Sequence, residues 1–235
     1  MIAIAAWSTH ASAQDWPSRQ IKVIVPFTAG SATDIVARAV FEHIARDGGQ
    51  TAVIENRGGG GTTIGSAAVA KADPDGYTLL VNSTSHVVVA TTFPKLGYNV
   101  AEDFTALSGL AAQPFVITTR TKYPTLAAFI AAGKAQPGAI NYGSAGLGTS
   151  GMLFMERFGL AAGIKMTHVP FRGTPEAMTE IVADRLDVYP GPVISVVELV
   201  ADKKVNALAV STPTRAPAFP NVPTLQEAGV QGSDY

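Results

Sequence analysis

The sequence predicts an α/β fold with largely parallel sheets, and three observations carry that expectation. Strand-like and helix-like segments alternate along most of the 235 residues. Short turns rich in glycine or proline separate them. Two of these turns, one in each half of the chain, share a design: an apolar strand runs into small residues and then directly into a helix.

The elements follow in order. Ile21–Val25 is a β-branched run that stops at Pro26, which reads as a strand. Ile35–Ala45 places apolar residues at helical spacing, with His43 and Arg46 near its end. Thr51–Glu55 is a second strand, Gly58-Gly59-Gly60-Gly61 a flexible turn, and Thr62–Ala72 a small-residue helix. Asp73-Pro74-Asp75-Gly76 is a strong turn signal before the strand Tyr77–Asn82. In the second half Phe115–Thr119 is a strand, and Leu126–Ala135 a helix that stops before Gln136-Pro137-Gly138. Ile140–Gly143 is a strand, Met152–Gly159 a helix, Thr167–Pro170 a strand and Pro175–Asp184 a helix. Leu186–Tyr189, Val193–Ala201 and Ala207–Val210 continue the alternation. The proline-rich stretch from Thr212 to Val222 reads as a surface connection. No internal repeat and no long linker interrupts the pattern.

Composition narrows the partners. Seventeen lysines and arginines stand against 18 aspartates and glutamates, so no basic face for nucleic acid is expected. The chain has no cysteine, which excludes disulfides, thiolate metal sites and a cysteine nucleophile, and suits an exported bacterial protein. Met1 to Trp7 is a short apolar run, and Ala11-Ser12-Ala13 has the small-x-small form of a signal-peptidase site. Residues 1–13 therefore read as a signal peptide cleaved before Gln14, although no lysine or arginine precedes Arg19. No later stretch is long and apolar enough to span a bilayer.

Chemistry concentrates in the two shared turns. Pro26-Phe27-Thr28-Ala29-Gly30-Ser31-Ala32-Thr33-Asp34 leads into the first helix. The opening amides of a helix have no intrahelical acceptor and carry the positive end of its dipole. Small residues let an anion approach them. The alternative is that Thr33 or Asp34 merely caps its own helix. Asn141-Tyr142-Gly143-Ser144-Ala145-Gly146-Leu147-Gly148-Thr149-Ser150-Gly151 repeats the design, and the two turns are placed to face each other across a cleft. Gly146 to Gly151 also spells G-x-G-x-x-G, but the acidic residue that would hold a ribose is missing where Thr167-His168-Val169-Pro170 stands. The Gly58 to Thr63 turn lacks the lysine of a phosphate-binding loop.

Catalysis finds little support. Ser144 and Ser150 are outside any G-x-S-x-G elbow, and a serine-dependent hydrolase or transferase would need a histidine within hydrogen-bond reach of one of them. The histidines show no metal-ligand spacing, and neither metal nor cofactor is expected. His86 stands at the end of a strand, either against a ligand or in a structural hydrogen bond; His168 reads as structural. Arg57 and Arg172 are the cations nearest glycine turns, each either a carboxylate fork or a plain surface arginine.

Nine ordered blocks then carry a family resemblance that runs from Trp16 to the last residue. They are Trp16-Pro17-Ser18-Arg19, Pro26 to Asp34, Glu55-Asn56-Arg57, Pro74-Asp75-Gly76-Tyr77-Thr78-Leu79-Leu80 and Asp103-Phe104-Thr105. Asn141 to Gly146, His168-Val169-Pro170-Phe171-Arg172-Gly173 and Leu208-Ala209-Val210 follow. Pro220-Asn221-Val222-Pro223-Thr224 with Glu227-Ala228-Gly229 completes the set. The chain resembles the Bug-type solute receptors of tripartite tricarboxylate transport systems. The resemblance implies a type II periplasmic-binding-protein fold, with lobes at 17–105 and 106–230 and a ligand cleft between them. It implies a monomeric periplasmic receptor, not an enzyme, that hands a small carboxylate or dicarboxylate to membrane permease subunits. A ligand sensor for a signalling partner fits the same residues.

Carried onto this sequence, the resemblance places ligand contacts at Phe27, Thr28, Ala29, Gly30 and Ser31, with Thr33 and Asp34. Opposite them come Ser144, Ala145 and Gly146 with Thr149 and Ser150. Ser83, Ser85 and His86 form one cleft wall, and Phe171, Arg172 and Gly173 another. Three departures stand out. Gly30-Ser31 replaces two glycines, Gly58 replaces a common proline after Arg57, and Tyr189-Pro190-Gly191 replaces a polar residue after Asp187-Val188. The last change argues against an amino-acid ligand, whose ammonium needs a counter-charge. The resemblance also implies a further segment that returns to the first lobe beyond Tyr235, without which that lobe is expected to expose apolar surface and lose stability.

Overall fold

The computed structural model describes residues 16–48, 50–120 and 122–232; the expected signal peptide lies outside the described residues. The first lobe is built on a parallel sheet of order β2-β1-β3, with β1 at Ile21–Val25, β2 at Ala52–Asn56 and β3 at Thr78–Leu80. Parallel neighbours require crossover connections. Helix α1 (Ala32–Gly48) supplies the first crossover and α2 (Thr63–Ala70) the second, with one 3-10 turn at Gly60–Thr62 before it. Helix α3 (Ser85–Thr92) follows β3. Val23 and Val25 of β1 are fully buried against Ala37 and Phe41 of α1.

The second lobe holds two sheets. β4 (Phe115–Thr119) is central to an antiparallel sheet, flanked by β7 (Tyr189–Pro192) and β8 (Asn206–Val210). β5 (Asn141–Ser144) and β6 (Thr167–Pro170) form a parallel pair. A bridge between Tyr142 and Val188 links β5 to the approach of β7. Helices α4 (Leu126–Ala135), α5 (Ser150–Ala162), α6 (Thr174–Val182) and α7 (Val193–Ala201) cover these sheets. One core gathers Phe129, Phe154 and Phe158 around Tyr142; another gathers Ile181, Val196 and Val210 around Tyr189. Two aromatic pairs in the first core are stacked, Phe129 on Phe158 and Phe115 on Phe154, and Tyr123 meets Phe129 edge-on.

Three expectations are corrected. One sheet departs from the parallel expectation, because β4 pairs antiparallel on both sides, while the other two are parallel. The strand expected at Leu186–Tyr189 sits later, at Tyr189–Pro192, because Leu186 is drawn into the core beside Ile181 and only the following residues register with β4. Helix α3 was not expected, since Val87-Val88-Val89 carries β-branched side chains that disfavour helix. Tertiary packing overrides that preference: Val89 is fully buried.

Asp34 does not point toward the second lobe. Its carboxylate accepts from the Gly30 amide at 2.8 Å, from Arg38 Nε at 3.1 Å and from Asn56 Nδ2 at 2.9 Å. Asn56 Nδ2 also donates to the Phe27 carbonyl. The end of β2 is thereby tied to the first turn through Asp34. Burial would raise the Asp34 carboxyl, but the hydrogen bonds from Arg38, Gly30 and Asn56 outweigh it and hold the group below its ordinary value. A lowered carboxyl stabilises the fold fully above its unfolded value of about 3.9, and that contribution is lost as pH falls through the folded value. Asp34→Ala is expected to cost about 1–3 kcal/mol at neutral pH. Asp34→Asn should flatten the acid limb of the stability–pH curve. Urea melts between pH 3 and pH 7 check both.

Candidate functional site

Two turns of one geometry bring the lobes together. In the first, the Ser31 amide donates to the Thr28 carbonyl at 3.2 Å, and Gly30 takes a φ of +80° at the third position. In the second, the Thr149 amide donates to the Gly146 carbonyl at 3.3 Å, and Gly148 takes a φ of +76° at the same position. A four-residue turn with a left-handed third residue favours glycine there. Each turn ends on a hydroxyl residue immediately before its helix: Ser31 before α1 and Thr149 before α5. Ser31 Oγ accepts from the Asp34 amide, and Thr149 Oγ1 donates back to the Gly146 carbonyl at 2.6 Å.

Between the turns lies a cavity of about 40 Å³, room for only a few water-sized groups. Helix N-termini dominate its wall. Ser31, Ala32 and Thr33 come from α1, and Thr149, Ser150 and Gly151 from α5. Thr174 opens α6 and Pro192 precedes α7. Ser83 stands just before α3. Phe27, Phe115, Tyr189 and Pro190 supply apolar surface, and Gln113 a side-chain amide. The lining, among the described residues, carries no charged side chain. Gly173 and Pro192, the residues before α6 and α7, have no side-chain group that can accept an amide proton. An outer chamber of about 470 Å³ shares Thr33, Ser83, Phe115 and Ser150 with the inner one. Leu80 and Val81 close one side of it, and Ser108 to Pro114 the other.

The lobes touch closely beside the cavity, Gly61 against the Leu147 backbone and Gly173 against the Thr28 side chain. A Cβ on Gly61 would lie 1.8 Å from the Leu147 carbonyl oxygen, and a Cβ on Gly173 would lie 1.8 Å from Thr28 Oγ1. Neither position has space for a side chain. Hydrogen bonds cross the same gap: the Ser150 amide donates to Ser85 Oγ at 3.0 Å, and the Oγ atoms of Ser85 and Ser150 lie 3.5 Å apart. Ser83 Oγ donates to that same Ser85 Oγ at 2.8 Å. The structure therefore has its two lobes closed.

Of the residues expected at the site, Phe27, Ser31, Thr33, Ser83, Ser144, Ala145, Thr149 and Ser150 line the cavity. Thr28, Ser85, Gly146 and Gly173 serve the lobe contact, Gly146 by passing within reach of Gly61. Ala29 and Gly30 are exposed and shape the turn from outside. Asp34 stands behind it. His86 turns away from the cavity: its Nε2 pairs with the Val100 carbonyl at 3.1 Å, and its ring meets Phe104 edge-on. Arg172 is exposed, and its amide donates to Glu176. Phe171 packs near Gly143 and Gly146, one step outside the lining. Sequence reading missed Gln113, Phe115, Thr174 and Pro192, whereas Tyr189 was placed at the pocket through the family resemblance. Thr174-Pro175 is a legible helix start, but nothing local shows that its end faces the other lobe.

Two α/β lobes closed around a small cavity of peptide groups and hydroxyls define a solute-binding receptor of the two-lobed periplasmic type. The model for the tripartite tricarboxylate transporter family receptor matches residues 36–235, and this chain belongs to that family. It is 36% identical over 230 residues to a protein of the tcbD–tcbE intergenic region of Pseudomonas sp. strain P51, covering 97% of this chain and 68% of that one. It is 34% identical over 232 residues to BugT of Bordetella pertussis, covering 97% and 71%. Among solved structures, the periplasmic binding protein BugD superposes with a TM-score of 0.88 at 30% identity, covering 94% of this chain and 74% of BugD. MatC of Rhodopseudomonas palustris with bound malate gives 0.88 at 32% identity, covering 94% and 76%. Rpa4515 of R. palustris with adipate gives 0.90 at 31%, covering 94% and 75%.

The Ser85–Ser150 bond predicts a local readout of closure. Ser85→Ala removes the acceptor of the Ser150 amide. A net hydrogen bond of about 1 kcal/mol corresponds to roughly a fivefold faster exchange of that amide with deuterium. An unchanged exchange rate would show that the lobes do not hold this contact in solution.

Proposed function

We propose that this chain is a periplasmic receptor for a small carboxylate or dicarboxylate, that it acts as a monomer, and that it delivers its ligand to membrane permease subunits of a tripartite tricarboxylate transport system. In this reading the lobes span 17–105 and 106–230, and the precursor is cleaved near Ala13. One observation carries the reading: helix N-termini from both lobes converge on a cavity with no charged side chain in its described lining. An anion there meets the positive ends of α1, α5, α6 and α7 together. Amides and the hydroxyls of Ser31, Thr33, Thr149 and Ser150 supply the donors, with water completing the shell. Bound malate in MatC and adipate in Rpa4515 support the ligand class.

Closure follows from differential contact. A ligand favours the closed form only through bonds it makes to both lobes at once. The turn before α1 belongs to one lobe and the turn before α5 to the other, so a carboxylate gripped by both links them. The close contacts at Gly61 and Gly173 set how near the lobes come.

A second reading rests on one distance. Ser144 Oγ lies 2.7 Å from His168 Nε2, the approach that a serine nucleophile and its base would need. Against it, Ser144 is fully buried and the Gly146 amide already donates to its Oγ. The carboxylate that faces His168, Glu156, is engaged by the Tyr142 hydroxyl. A fluorophosphonate probe that labels Ser144 would favour this hydrolase or transferase reading over the receptor.

A thermal-shift series with mono-, di- and tricarboxylates tests the receptor. Malate or adipate at one hundred times its Kd should stabilise the protein by about 2.7 kcal/mol. Gly61→Ala and Gly173→Ala should each weaken binding tenfold or more by holding the lobes apart, with far-ultraviolet circular dichroism unchanged. No shift with any carboxylate would overturn the reading.

A further inference from the structure

A polar cluster stands directly behind the turn before α5, and of its members Ser144 alone belongs to the described cavity lining. Ser144 Oγ is 2.7 Å from His168 Nε2 on the neighbouring strand. The same oxygen accepts from the Gly146 amide at 3.0 Å and lies 3.0 Å from the Gly146 carbonyl. The His168 ring stacks on Tyr142, with centroids 4.9 Å apart and planes 25° from parallel. The Tyr142 hydroxyl donates to Glu156 at 2.5 Å. The titratable and charged groups that face His168 are thus Tyr142 on β5 and Glu156 on α5, with neutral Ser144 bonded to its ring nitrogen.

A hydroxyl has one proton to give. When His168 presents a lone pair at Nε2, Ser144 donates to it and accepts from the Gly146 amide. When His168 is an imidazolium, Nε2–H donates to Ser144 Oγ. The Ser144 proton must then turn to the Gly146 carbonyl, whose oxygen is at bonding distance. Both patterns fit one set of heavy-atom positions. They differ by one positive charge, placed one hydroxyl behind a cavity whose described lining carries none.

Resting on the receptor reading above, we infer that His168 is a positioning residue for the turn at Ser144–Gly146 and makes carboxylate binding proton-linked. The anion binds more tightly when His168 is charged, and binding draws a proton onto it. The sign follows from the surroundings. Burial lowers the imidazole below its ordinary value, and the Glu156 carboxylate opposes that only in part. Burial, then the bond to Glu156, holds Tyr142 protonated well above its ordinary range, so it does not compete for the proton. In the free protein at neutral pH the ring is therefore neutral. A bound anion favours the imidazolium and raises its pKa. By linkage, affinity climbs as pH falls from the bound-state value to the free-state value, then levels.

Calorimetric titration of the wild type and His168→Gln with malate and with adipate, at pH 5.5 and 8.0, tests this. Glutamine can still bond Ser144 but cannot titrate, so it also corrects for the ligand's own protonation. The wild type is expected to bind about three- to tenfold more tightly at pH 5.5 relative to the variant, the gain that follows when the bound anion raises the imidazole pKa by roughly 0.5 to 1. Across pH 5.5 to 6.5 its binding heat should depend on the buffer's ionisation heat, through proton uptake, and exceed in that dependence any shown by the variant. Equal pH profiles in the two proteins overturn the proton link and leave the receptor standing. No binding by the wild type at either pH overturns the receptor reading and this inference with it. Should the variant fail to fold, the wild type alone decides. The Gly146 amide resonance should follow the His168 ring through its titration, and an amide that stays fixed overturns the link.

Discussion

Close contact at two glycines is the constraint on which the rest of the structure depends. Gly61 meets the Leu147 carbonyl and Gly173 meets the Thr28 side chain, with no room for one further carbon at either glycine. Because neither glycine carries a side chain, the ends of α1 and α5 come near enough to share one small cavity. Its polarity is then set by main-chain amides and short hydroxyls. Long charged side chains would have to fold into space that does not exist. A site of this kind balances an anion with partial charges fixed in place, which need little reorganisation when the ligand enters.

The two halves solve one local problem in one way. Thr28 to Ser31 and Gly146 to Thr149 are the same turn, glycine at the left-handed third position and a hydroxyl residue at the helix entrance. What supports each turn differs. Behind the first stands Asp34, pinned by Arg38 and Asn56. Behind the second stands Ser144, bonded to His168. A buried carboxylate held ionised by an arginine is constant over the pH range of most solutions. A half-buried imidazole is not. One lobe thus offers a fixed turn and the other a turn whose electrostatics follow protonation.

Much of this was legible in the sequence, and the reasons are local. β1, α1, β5 and α5 follow from a strand, a glycine and a helix period in immediate succession. The pairing of the two turns into one site follows from their shared design. Legibility stopped where partners are distant. Pro192 reaches the cavity because β7 runs antiparallel to β4, which no residue of β7 announces; Tyr189 was placed there by resemblance, not by its local pattern. Burial raises the Tyr189 phenol to about 12, and its hydroxyl donates to Thr174 at the head of α6, so strand and helix are fastened at the cavity wall. His86 was ambiguous because Val100 and Phe104, its partners, lie well downstream. Helix α3 was hidden by its own valines.

The departure at Tyr189-Pro190-Gly191 gains a physical meaning from this placement. Tyr189 is buried with its hydroxyl already committed to Thr174, so it presents ring carbon to the cavity. Pro190 and Pro192 add no amide donor. That wall is therefore apolar, whereas the wall made by Ser31, Thr33, Thr149 and Ser150 is rich in donors. A ligand with an acid at one end and hydrocarbon beside it satisfies both walls. In the proposed receptor a zwitterion would set its ammonium beside rings and methylenes with no carboxylate among the described lining residues to balance it. On the proposed reading, selectivity comes from what the second wall withholds as much as from what the first one gives.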